Sequence, residues 1–192
     1  MEQQPVQPPA AELTSGAVTL RRWRADDAGL AYRLVTESEA YLRPWLPWAA
    51  EYTPETARDY VFSCERDWQA GTAFNYLVID GGTPAGSAGL MARNGPGGLE
   101  IGYWVHPGHA GRGLATAAAG ALTEAAFGLP GIDRVEIIHD LSNVASGRVP
   151  RKLGYARIGT APGRFPRAPG ECGTHAVWRM TRPPGQPPAG RR

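Results

Sequence analysis

Cysteine is almost missing from this chain of 192 residues: Cys64 and Cys172 are the only two, and their spacing fits no metal-ligand motif. A disulfide-stapled scaffold is excluded; a single bridge stays open, but two free thiols in a reducing cytoplasm is the preferred reading. The histidines, His106, His109, His139 and His175, are scattered without an HExxH or similar cluster, so no metal centre is expected. No apolar run approaches the ~20 residues that a membrane helix needs. The opening MEQQPVQPPAAELTSG has neither the basic nor the apolar region of a signal peptide, which again points to the cytoplasm. A charge excess is absent as well. With 20 basic and 18 acidic residues the net charge is +2, which offers no electrostatic case for nucleic acid or a membrane surface as partner.

What is present suits one globular domain. Hydrophobic residues make up 42% and charged residues 20%, enough to build a core at this length. Residues 1–14 and 182–192, rich in Pro, Gln, Gly and Arg, are expected to be disordered tails around a domain at 15–181. Within it, Val18 to Trp23 alternates as a strand, and a helix from Asp26 and Asp27 to about Glu37 places Leu30, Ala31, Leu34 and Val35 on one face. A loop of prolines and tryptophans follows, Arg43-Pro44-Trp45-Leu46-Pro47-Trp48. Thr53 then caps a helix with Pro54 in its first turn. Phe74 to Ile79 and Ala85 to Ala92 form a hairpin around Asp80-Gly81-Gly82. Strands at Leu99 to Val105, Arg134 to His139, Tyr155 to Thr160 and Thr174 to Met180 alternate with helices ending near Gly128 and Leu153. Seven strands and flanking helices predict a mixed α/β sheet.

The most informative stretch is Ile101 to Thr116, IGYWVHPGHAGRGLAT. An apolar strand meets a Pro-Gly turn, and a glycine-spaced loop opens into an alanine-dense helix. Gly111 and Gly113 admit a ligand close to the backbone, where the helix start offers unpaired N–H groups to an anion such as pyrophosphate. A plain strand-to-helix turn has the same residues. The P-loop and the dinucleotide fingerprint both have different spacing.

Together, RPWLPW, EIGYWVHP, GRGLAT and NVASGRVPRKLGY, in this order, resemble the GNAT (GCN5-related N-acetyltransferase) superfamily, in particular its RimJ/RimL-type ribosomal-protein branch. The resemblance implies the GNAT fold, with two central parallel strands splayed apart to admit acyl-CoA, usually acetyl-CoA. It implies N-acetylation of a primary amine, first of all a protein N-terminal α-amine. Its pyrophosphate loop, R/Q-x-x-G-x-G/A, falls on Ala110, Gly111, Arg112, Gly113, Leu114 and Ala115, with Thr116 next. Ala110 departs from the long polar side chain usual there, and Arg112 is expected to place a cation by the phosphates.

By the same resemblance, backbone groups of Trp104, Val105 and His106 pair with the pantetheine arm, and a bulge there aims an N–H at the thioester oxygen. Asn143 and Ser146 face the pantetheine from the other side, although Asn143 also reads as a helix cap. Glu100 is the candidate base, or else a strand-end carboxylate facing solvent; Glu171 and His175 are secondary candidates. The family's usual tyrosine acid falls on Pro150, which leaves Ser146 to protonate the thiolate. Pro150 also removes the helical hydrogen bond to the Ser146 carbonyl. Trp45, Trp48 and Tyr103 are expected to line the acceptor pocket, with core packing as the other reading for the tryptophans. Dimers are common in the branch, but no interface signature stands out. Two rivals remain: an acetyltransferase for an amino acid, polyamine or antibiotic, and a non-catalytic acyl-CoA sensor, to which Ala110, Ala117 and Pro150 lend weight.

Overall fold

The computed structural model describes residues 5–183. Two antiparallel strands, β1 (Glu12–Ser15) and β2 (Val18–Arg22), lead into helices α1 (Ala28–Glu37), α2 (Glu39–Leu42) and α3 (Pro54–Ala70). Strands β3 (Ala73–Asp80), β4 (Thr83–Met91) and β5 (Gly98–Val105) follow. Then come α4 (Leu114–Gly128), β6 (Arg134–Asp140), α5 (Val144–Lys152), β7 (Ala156–Pro162) and β8 (Thr174–Thr181). The strands form a single sheet in the order β1-β2-β3-β4-β5-β6-β8-β7. Among the described strands only β5 and β6 pair in parallel; every other neighbour is antiparallel. This is the expected mixed GNAT sheet, with eight strands where seven were expected.

The additional strand comes from the supposed N-terminal tail. Glu12 to Ser15 pairs with Val18 to Arg21, and upstream the Val6 N–H reaches the Gly71 carbonyl at 3.2 Å. The Tyr76 hydroxyl donates to the Ala10 carbonyl at 2.8 Å. These anchors override the Pro/Gln composition of the segment. At the other end Arg182 is tied to the sheet by its N–H on the Asp133 carbonyl, 2.8 Å, and its guanidinium on Leu129 and Ile132 carbonyls. The rest of both expected tails, residues 1–4 and 184–192, lies outside the described residues.

Each face of the sheet has its own core. Along β3, Phe74, Tyr76 and Val78 pack with α4, while Leu77 joins Trp23, Leu34 and Val61 beneath α1 and α3, as strand alternation requires. Helix α4 is alanine-dense, which favours helix formation, and it buries Leu114, Ala118, Leu122 and Phe127 against Leu99, Ile101, Val135 and Ile137. Thr53 caps α3 as expected, its hydroxyl accepting from the Thr56 N–H at 3.2 Å. No helix among the described residues is long and apolar enough to cross a membrane.

Candidate active site

The parallel pair opens partway along. β5 and β6 are in register from Gly98↔Arg134 to Ile101↔Ile137, and there the pairing stops. Beyond it β5 stays bonded to β4 as far as Gly86↔Val105, and β6 to β8 as far as Asp140↔His175. A wedge therefore opens between residues 102–105 and 138–140, with the β5 edge left free of a strand partner on that side. An edge of this kind can take an extended ligand by backbone hydrogen bonds.

The bulge expected at Trp104 to His106 lies instead on β4. Val78 faces Gly86 but Ile79 faces Pro84, so Ala85 is the extra residue, whereas the β4–β5 register runs without a shift. The Ala85 carbonyl accepts from the His106 N–H at 2.8 Å. Gly86 has φ +151°, and a Cβ there would come within 2.2 Å of the Trp104 carbonyl oxygen. Only glycine allows β4 to lie this close, and the bend falls where β5 leaves β6.

Below the wedge the loop turns into α4. Gly111 and Gly113 hold φ of +78° and +83°, with no atom within 4 Å of where a Cβ would stand. Gly113 is the N-cap of α4 and has no side chain to cap it, so the first N–H groups of the helix, at Leu114, Ala115 and Thr116, are left without a side-chain cap. Together with the positive end of the helix dipole they suit an anion. Arg112 is placed differently from the expectation. Its guanidinium is 2.6 Å from Asp80 Oδ2, and His109 Nδ1 is 3.0 Å from the same oxygen. Both side chains tether the loop to the β3–β4 hairpin. Asp80 was missed in the sequence because nothing local links a hairpin aspartate to a loop some thirty residues on.

Across the wedge stands α5. Asn143 is its N-cap, with Oδ1 accepting from the Ser146 N–H at 3.0 Å. Tyr103 reaches over the wedge: its hydroxyl is 3.0 Å from the Ser146 carbonyl oxygen and 3.2 Å from Ser146 Oγ. Burial pushes the Tyr103 phenol up to about 12, against a smaller opposing effect of the hydrogen bond with Ser146. Tyr103 thus lies on the α4 and α5 side with Ser146, away from the acceptor wall where it was expected. Trp104 alternates to the other face, packing with Leu46 and Tyr52. Trp48 is exposed, 6.0 Å from Tyr52 and 6.5 Å from Trp104 between ring centroids, so it is a surface wall and not core. Trp45 is half-buried in the same loop.

Glu100 sits at the paired end of β5 and is 4% exposed. One carboxylate oxygen takes Arg93 and the other takes Arg164 at 2.8 Å, so it presents no free oxygen to an amine and does not face solvent. Its register partner Glu136 is held by Arg179 at 2.5 Å and by Asn94 at 2.7 Å, and Asn94 also accepts from Arg164 at 3.0 Å. Arg164 belongs to the loop between β7 and β8, and Gly170 of that loop donates to the Pro44 carbonyl at 2.9 Å. The β7–β8 loop is therefore bound both to Glu100 and to the loop around Pro44.

Glu171 and His175 gather elsewhere, at the end of β6. His175 Nε2 is 3.5 Å from Glu171 and 3.7 Å from Asp140. Burial raises the Asp140 carboxyl, but N–H groups of Cys172, Ser142 and Gly173 outweigh it and hold the group well below the usual carboxylate range. The Glu171 carboxylate also accepts from the Ala168 N–H at 2.8 Å. The knot closes the β7–β8 loop onto β6. His139 is structural as well: Nδ1 meets the Asp140 carbonyl at 2.8 Å and Nε2 accepts from the Trp178 indole at 3.1 Å. Burial keeps its pKa below the usual value.

A sheet split at its parallel pair above a glycine-led helix start defines an acyltransferase of the acetyltransferase class. The chain belongs to the GNAT acetyltransferase family, whose domain model matches residues 17–156. Among curated proteins it is similar to YdaF of Bacillus subtilis (strain 168), named "Putative ribosomal N-acetyltransferase", with 28% identity over 149 residues, 75% of this chain and 80% of YdaF. Among solved structures the fold matches RimL, a ribosomal L7/L12 α-N-protein acetyltransferase in complex with coenzyme A, with a TM-score of 0.77 and 23% identity over 92% of this chain and 97% of RimL. It also matches MccE, a microcin C7 self-immunity acetyltransferase bound to acetyl-CoA and AMP, with a TM-score of 0.79 and 17% identity over 86% and 92% of the two chains.

Proposed function

We propose that this enzyme transfers the acetyl group of acetyl-CoA to a primary amine, foremost the α-amine of a protein N-terminus. The observation that carries the proposal is the free β5 edge beyond Ile101, set above the uncapped start of α4 with Ser146 across the wedge. The α4 N–H groups from Leu114 to Thr116 take the pyrophosphate. The β5 edge from Tyr103 to Val105 takes the pantetheine amides, since both backbone groups of His106 are spent on Ala85 and His109, and this aims the thioester at the Trp48 and Trp104 face.

The amine attacks the carbonyl carbon, and the oxyanion that forms is met by a backbone N–H of β5. Collapse breaks the C–S bond, and the thiolate takes the Ser146 Oγ proton. The new amide nitrogen releases its proton to water, and solvent reprotonates Ser146. An α-amine with pKa ~8 attacks near neutral pH without a strong base, whereas a lysine amine near ~10.4 needs one. The engagement of both Glu100 oxygens therefore favours the α-amine. The likeness to YdaF and to RimL supports the same acceptor.

The test is release of the CoA thiol from acetyl-CoA in the presence of peptides with free N-termini, N-blocked lysine peptides, polyamines, amino acids and aminoglycosides. Turnover with free N-termini and none with blocked peptides is expected. Turnover only with small amines would replace the acceptor. Binding of acetyl-CoA without turnover across the panel would leave an acyl-CoA sensor, and failure to bind acetyl-CoA would overturn the proposal.

A further inference from the structure

Ser146 is held at both of its backbone groups by side chains outside the ordinary helical ladder. Its N–H goes to the Asn143 cap at 3.0 Å, as in many helix starts. Its carbonyl is the unusual one. In a regular helix it would accept from the N–H four residues on, but that residue is Pro150, inside α5, and proline has no N–H. Ser146 is half-buried, and a carbonyl partly withdrawn from water without a donor is costly. The Tyr103 hydroxyl supplies the missing donor at 3.0 Å. It comes from the stretch of β5 that has left β6, so it spans the wedge to reach α5.

We infer that Tyr103 and Pro150 form one device that positions Ser146: proline vacates the carbonyl, and the tyrosine hydroxyl takes it and fixes the serine across the wedge. Two features give the device its direction. The phenol keeps its proton at any working pH, because burial holds it up at about 12, and so it always donates. Its single proton is spent on the carbonyl, so across the 3.2 Å contact the Ser146 hydroxyl is the donor and rests its proton on the phenol oxygen until the thiolate draws it away. A family tyrosine in place of Pro150 would restore the helical N–H and make the strand tyrosine redundant. Tyr103 is thus a positioning residue that acts through Ser146. The inference rests on the reading of Ser146 as the thiolate's proton donor.

The test is a double-mutant cycle of Tyr103→Phe and Pro150→Ala, read in kcat, in KM for acetyl-CoA and in unfolding midpoint. Tyr103→Phe should lower kcat about tenfold with KM for acetyl-CoA within about twofold. In the Pro150→Ala background the new N–H covers the carbonyl, and the same change should cost less than about threefold. Equal losses in both backgrounds, or a Tyr103→Phe enzyme with unchanged kcat, would overturn the inference. Ser146→Ala separates it from the reading on which it rests. If Ser146→Ala turns over normally, the proton-donor role fails, and with it the catalytic purpose of the device. The coupling in unfolding midpoint would still report whether Tyr103 and Pro150 share the Ser146 carbonyl.

Discussion

The two halves of β5 differ more from each other than most neighbouring elements do. From Gly98 to Ile101 the strand is paired on both sides, and its one carboxylate, Glu100, is closed off by two arginines. From Gly102 to Val105 it is paired on one side only, and its residues are half-buried, with Tyr103 and Trp104 on opposite faces of the sheet. One half has its hydrogen-bonding capacity spent, and the other keeps it in reserve. Side-chain changes in the paired half should therefore be felt as lost stability and side-chain changes around the open half as lost binding or turnover, whereas a backbone clash that separates β4 from β5 costs stability in either half.

The largest effect should come from Gly86→Ala, which drives a Cβ into the Trp104 carbonyl and forces β4 off the open half. We expect ~3 kcal/mol or more of lost unfolding free energy, read by urea denaturation. Next is Gly113→Ala, where φ of +83° strains any Cβ. Moving the start of α4 should weaken acetyl-CoA binding about tenfold by titration calorimetry, with a stability loss of only ~1 kcal/mol.

Asp140 probes the far side of the wedge. Its folded pKa is held below the unfolded value, so its stabilisation is full above the ordinary carboxylate pKa and is lost as pH falls through the folded value. The gap in urea midpoint between the parent and Asp140→Asn should be wide at pH ~7 and shrink once pH drops below ~4. A gap that does not change with pH would contradict the hydrogen-bonded carboxylate. The smallest effect is expected for Asp80→Asn, which loosens Arg112 and His109 and should raise the acetyl-CoA Kd only about threefold, since an ion pair of this exposure contributes little.

Much of this layout was legible in local sequence. Thr53 and Pro54 marked the start of α3, and Asp80-Gly81-Gly82 the β3–β4 turn. Ile101 to Thr116 marked the strand, loop and helix of the anion cradle. Pro150 announced the missing hydrogen bond of Ser146 before any partner for that carbonyl was known. The rest depended on contacts distant in sequence. β1 is a short segment in a proline-rich stretch, held in place by its pairing with β2, by Leu13 against the core and by the Val6 and Tyr76 anchors. Arg93, Arg164 and Arg179 look like ordinary surface charge until the sheet register sets Glu100 beside Glu136. Tyr103 and Trp104 alternate, so one had to face each side, but only the position of α5 decides that Tyr103 meets Ser146. The family resemblance puts the bulge on β5; it falls on β4, where Gly86 has no Cβ to prevent it.

The central claim is that transfer happens at the open half of β5 while the paired half only holds it. The most direct measurement compares kcat at saturating acetyl-CoA and N-terminal peptide for Ser146→Ala and Glu100→Gln, with the unfolding midpoint of each. Ser146→Ala should lose about a hundredfold in kcat with its midpoint unchanged, the size of a lost general acid. Glu100→Gln should keep kcat within about threefold, with an unaltered pH profile, while losing ~2 kcal/mol of stability. Turnover abolished in Glu100→Gln and intact in Ser146→Ala would contradict the claim.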